Sequence, residues 1–142
     1  MRWLIDALIR ARHSTIKRVK DLTEDQLDFH SPDGVSIRDI AWHIAACDAA
    51  AIKPFKPDLE FDDRLYAGLA TGKSREDLLT YLEDQLKLKC DALSENLHRL
   101  NEKTRHISYG EITTGEVIIC SGIDHEAHHR GQIALIRKDN RL

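Results

Sequence analysis

The stretch TTGEVIICSGIDHEAHHRGQIALI, residues 113–136, reads as one long amphipathic helix. Thr113 with Glu116 three residues later forms a capping box that starts it. Ile118, Gly122, His125, His129, Gln132 and Ile136 then recur at steps of three and four, and Val117, Ile133 and Leu135 widen the stripe. His125 and His129 therefore stack on one face, one turn apart, a spacing that lets two imidazoles grip one metal ion.

Three more helices read outward from this one. The first runs from about Arg2 to Lys20, with Leu4, Leu8, Ala11, Thr15, Val19 and Leu22 at helical spacing and Ile5, Ile9 and Ile16 broadening the face. Turn chemistry follows, ending in Pro32-Asp33-Gly34. Ser36 and Asp39 cap the second helix, whose apolar positions are Ile37, Ile40, Ile44, Cys47 and Ala51. His43 shares that face. Residues Lys53 to Lys73, with Pro54, Pro57, Gly68 and Gly72, form a loop long enough to hold a short helical turn or to cover a site. Ser74 and Asp77 open the third helix, in which Leu79, Leu82, Leu86, Cys90, Leu93, Leu97 and Leu100 make a near-heptad seam. No alternating strand is evident. The expectation is an all-α fold: an antiparallel four-helix bundle in a single domain, residues 1–142, with one long loop between helices two and three.

Charged residues at 32% and hydrophobic residues at 42% describe an ordinary globular chain. The net charge is −3 and the basic residues are scattered, which argues against a nucleic-acid partner. No apolar run is long enough to span a bilayer and no secretory segment follows Met1, so a cytoplasmic location is expected. Cys47, Cys90 and Cys120 are odd in number, far apart and placed in helices, which excludes a disulfide framework.

Of eight histidines, His13, His30, His98 and His106 fall on polar faces or in loops. His43, His125 and His129 each interrupt an apolar stripe, where a buried imidazole needs a partner. Two readings are open: hydrogen-bonded core histidines, or three ligands of an open metal site with room for a further ligand. Zinc and nickel suit neutral imidazoles, as do copper and ferrous iron. Such an ion lowers the pKa of a bound water or thiol. Cys47, one turn beyond His43, is either a small core residue or an additional ligand. Asp39, Asp48, Asp124 and Gln132 are each either solvated or placed to orient a ligand histidine. His128, one position off the ligand face, points outward or to a helix seam.

HEAHH, residues 125–129, also matches the H-E-x-x-H pattern of zinc peptidases. No further histidine follows His129, Gln132 stands where the extended pattern needs glycine, and no edge strand is present to align a peptide. Glu126 is kept as a candidate acid/base beside a metal-bound water.

WHIAACD on the second helix and HEAHHRGQI on the last resemble the DinB-like (YfiT-like) superfamily of four-helix-bundle proteins. The likeness covers essentially the whole chain, and the H-x-x-x-H-R-G-Q segment is its most specific part. It implies a divalent metal, often nickel or zinc, held by His43, His125 and His129. It also implies frequent homodimers, and in some relatives transferase or isomerase chemistry with low-molecular-weight thiols. Three functions are thus expected in order: a metal-dependent enzyme activating a thiol or water, such as an S-transferase or hydrolase in stress or detoxification chemistry; a non-catalytic metal- or ligand-binding bundle; and a plain structural bundle.

Overall fold

The structure, a computed structural model, describes residues 2–62 and 64–142; Met1 and Asp63, the latter within the expected Lys53–Lys73 loop, lie outside the described residues. The chain is mostly helical, as the periodicity predicts. Its elements are α1 (Arg2–Val19), α2 (Glu24–Leu27), α3 (Ile37–Ala46), α4 (Asp48–Ile52), α5 (Arg75–Glu95), β1 (Lys103–His106), β2 (Gly110–Thr113), α6 (Thr114–Ile119) and α7 (His125–Asp139). The three expected capping boxes, at Ser36, Ser74 and Thr113, all form, and Thr23 with Gln26 makes a fourth on the one-turn α2. Each supplies acceptors for backbone N–H groups that the first helical turn leaves without partners.

The four long helices pack around a common axis. α1 lies against α5 and α7, and α3 lies against the same two, so α1 and α3 stand diagonally across the bundle. Two apolar clusters fill it. One contains Val19, Ile37, Ile40, Ile44, Leu78, Leu82, Ile133 and Ile136. The other contains Leu4, Leu8, Leu93, Leu100 and Ile118. Between them, in sequence along α1, α5 and α7, fall the buried polar residues Arg12, Thr15, Lys89 and Glu126.

Four expectations need correction. The second helix breaks at Cys47 into α3 and α4 instead of running unbroken to Ala51. The third ends at Glu95, with only a 3-10 turn at Leu97–Arg99 after it. A two-stranded antiparallel hairpin pairs Lys103 with Thr113 and His106 with Gly110 where no strand was expected. Its strands are four residues each and β1 carries no apolar side chain, so alternation left no hydrophobic signature; Gly110, at φ +74, closes the turn. Finally, the last helix is not regular: residues Cys120–Asp124 form a π-helical segment between α6 and α7. Such a wide turn inserts residues without ending the helix and re-aims the side chains of the next turns.

Within that wide turn the helix packs closely on its neighbours at Gly122. A Cβ added at Gly122 would lie 3.0 Å from Leu8 Cδ2, 3.6 Å from Ala51 Cβ and 3.8 Å from Lys89 Cδ. Gly122→Ala is therefore expected to destabilise by overpacking, about 1–3 kcal/mol, offset by at most about 1 kcal/mol of better helix propensity. Urea unfolding measures the difference, and a variant as stable as the parent would contradict this packing.

Candidate metal centre

His43 on α3 and His129 on α7 are buried, and His125, the first residue of α7, is half-buried. Their Nε2 atoms converge: His43 to His125 is 3.2 Å and His125 to His129 is 3.0 Å. Gln132, one turn beyond His129, sets the tautomer. Its side chain lies 2.6 Å from His129 Nδ1, so the carboxamide oxygen accepts from Nδ1–H and the lone pair is left on Nε2. A single proton serves only part of such a cluster, whereas one cation between the rings satisfies every inward lone pair.

Cys47 belongs to the same cluster. Its Sγ lies 3.5 Å from His43 Nε2, and ligand atoms of His43, Cys47 and His125 all fall within 4.8 Å of one another. These three could hold a metal ion, and His129 adjoins them through the 3.0 Å contact with His125. The three histidines singled out from the sequence are thus brought together, with a sulfur beside them. Neutral imidazole and thiolate donors fit zinc or nickel.

Burial disfavours a charged imidazole at His125, and His129, His43 and His128 add repulsion, so its pKa falls from 6.5 to about 3. Burial likewise lowers that of His129. Neutral rings are the ligating form. Between about pH 3 and 6.5 the unfolded chain holds a proton on this residue that the folded chain does not, so unfolding takes up protons. Stability of the metal-free protein is expected to rise with pH across that window and to be lost as pH falls through it. Thermal melts from neutral to acidic pH check this; a flat profile would contradict it.

The other candidate residues fall into three places. Asp39 caps α3 and accepts from the backbone N–H groups of Gly68 and Ala70, pinning the long loop to the helix start. Asp124 and His128 line a cleft beside the centre. Asp48 and Glu126 lie instead in a buried ion-pair cluster. Arg12 donates to Asp48 at 2.6 Å, to both oxygens of Glu126 at 3.0 and 3.2 Å, and to the Leu82 carbonyl at 2.6 Å. Lys89 donates to Asp48, and Thr15 donates to Glu126 at 2.7 Å. Burial acts to lower the Arg12 pKa, but the two carboxylates outweigh it and hold it above the usual arginine value. Since Asp48 follows Cys47 and Glu126 follows His125, the cluster anchors the backbone on both sides of the centre.

Sequence reasoning missed Arg12 and Lys89, which are fully buried. The signal was present: Arg12 lies one turn from Leu8, and Lys89 one turn from Leu93, so each cation interrupts an apolar stripe. Their two positive charges face two carboxylates on other helices.

Beside the centre a cleft of about 890 Å³ opens between the hairpin, the start of the long loop and the π-helical segment. Cys47, His125 and His128 line it on the side of the centre; Pro54, Phe61 and Tyr109 supply apolar wall. His106 ties the hairpin in place, with Nδ1 accepting from Ser108 N–H and Nε2 3.3 Å from Ser121 Oγ.

The fold and the centre together define a helical bundle with an internal cluster of imidazole and thiol groups able to hold a metal ion. The chain belongs to the DinB superfamily, whose family model matches residues 7–133. No curated protein matches it.

Proposed function

We propose that this protein is a divalent-metal-dependent thiol transferase, with His43, His125 and His129 holding zinc or nickel beside the cleft. The observation that carries the reading is the convergence of three Nε2 atoms, at 3.2 and 3.0 Å, beside an 890 Å³ cleft with apolar walls. A bound ion there supplies Lewis acidity, lowering the pKa of a thiol or water that reaches it. Gln132 keeps His129 in the ligating tautomer. Of the two thiols that line the cleft, Cys47 lies against the imidazoles, and Cys120 is pushed up in pKa by burial and by Asp124 and Glu116, which keeps it protonated and a poor nucleophile. In this reading the nucleophile is brought in from solution.

The cleft lining carries two cations, Lys53 and Arg105, against the one carboxylate of Asp124, so the cleft favours a small thiol carrying negative charge. Apolar walls suit a hydrophobic electrophile. With both its oxygens engaged by Arg12 and Thr15, Glu126 acts as a positioning residue for α7. A cytoplasmic setting, where low-molecular-weight thiols are abundant, and a homodimeric state are part of the same proposal. Among the described residues no helix is long and apolar enough to cross a membrane.

Zinc- or nickel-loaded protein mixed with carboxylate-bearing thiols and apolar electrophiles is expected to consume free thiol. His129→Ala should abolish that turnover. Stoichiometric metal with no turnover across thiol and hydrolase panels would overturn catalysis in favour of a metal-binding module.

A further inference from the structure

Cys47 stands beside the imidazoles, its Sγ grouped with ligand atoms of His43 and His125 within 4.8 Å of one another. A tetrahedral ion with nitrogen at about 2.0–2.1 Å and sulfur at about 2.3 Å sets neighbouring nitrogens about 3.3 Å apart and nitrogen from sulfur about 3.6 Å. The separations here are 3.2 and 3.0 Å between the imidazole nitrogens and 3.5 Å between Cys47 Sγ and His43 Nε2. The two nitrogen–nitrogen separations match edges of such a polyhedron, whereas Cys47 Sγ, also 3.7 Å from His43 Nδ1, flanks the imidazole, so reaching the ion takes a turn of its side chain toward the Nε2 side. Cys47 reaches this position by local structure: it lies one turn after His43, and α3 ends on it, its N–H bonded to the His43 carbonyl. The Arg12 and Lys89 contacts to Asp48 hold the next residue fast.

Cys47 is also the ligand candidate that, with His125, lines the cleft, whereas His43 and His129 do not. We propose that Cys47 is a displaceable fourth ligand, closing the centre at rest and occupying the position that an incoming thiol must take. This rests on the metal reading above and goes beyond it. In the exchange the bond between Cys47 sulfur and the ion breaks and one from the incoming sulfur forms. The entering thiol's proton passes to Cys47, so the charge of the ligand set is conserved. A water molecule, which supplies no thiolate, competes poorly for that position. The centre is thereby selective for thiols over hydrolysis.

Cobalt(II) substitution tests this. The wild type is expected to show a near-ultraviolet sulfur-to-cobalt charge-transfer band, absent in Cys47→Ser while cobalt content stays stoichiometric. Adding a small thiol to Cys47→Ser should restore such a band. X-ray absorption of the zinc-loaded wild type, which needs no variant, should show a sulfur shell at about 2.3 Å. Bound metal with only nitrogen and oxygen neighbours, or a band that survives in Cys47→Ser without added thiol, would overturn the assignment of Cys47. A wild type that takes up neither cobalt nor zinc would overturn the metal reading itself.

Discussion

Arg12→Ala is expected to cost about 3–5 kcal/mol of folding stability, the usual penalty for removing one partner of a buried ion pair. Arg12 is fully buried and donates to Asp48, to both oxygens of Glu126 and to the Leu82 carbonyl. Without it Lys89 faces two carboxylates alone, bonded to Asp48 but 4.0 Å from Glu126. The Leu82 carbonyl loses this donor, and a cavity opens between the two apolar clusters. A domain of this size is stabilised by roughly 5–15 kcal/mol, so much of the margin disappears. Urea unfolding at neutral pH measures the loss, and a loss below about 1 kcal/mol, the level of an exposed pair, would contradict the role given to Arg12. The same variant should bind metal more weakly, because Asp48 and Glu126 fix the neighbours Cys47 and His125.

His125→Ala is expected to abolish metal binding while leaving the metal-free bundle about as stable as its parent. His125 is the hub of the cluster, its Nε2 within 3.2 Å of both other imidazoles. Burial and the surrounding histidines keep its ring neutral near pH 7, so its removal takes away a ligand without stranding a buried charge. With ion in hundredfold excess over Kd, binding adds about 2.7 kcal/mol to the wild type. Thermal melts with and without zinc should therefore diverge for the wild type and coincide for the variant. Equal zinc-induced shifts in both proteins would contradict the site.

Much of this arrangement was legible in the sequence. Helix starts were visible because Ser36, Ser74 and Thr113 each pair with an acidic residue three positions later, a local and self-contained signal. The three converging histidines were visible because each interrupts an apolar stripe. Irregular features escaped. The π-helical segment at Cys120–Asp124 leaves its residues looking helical, and the tight packing of Leu8 and Ala51 about Gly122 within it is a tertiary contact that no local pattern announces. The hairpin depends on backbone pairing and Gly110, with no apolar alternation to announce it. Glu126 shows the limit of motif reading. In H-E-x-x-H it suggests a base beside the metal, yet Arg12 and Thr15, more than a hundred residues earlier, claim its carboxylate.

The most direct test of the centre is elemental analysis of protein without a histidine tag, after incubation with zinc or nickel and removal of the excess. The wild type is predicted to retain stoichiometric metal, with His43→Ala, His125→Ala and His129→Ala each losing it. Wild type without metal, or variants that keep as much as the wild type, would contradict the account and leave a helical bundle with hydrogen-bonded core histidines.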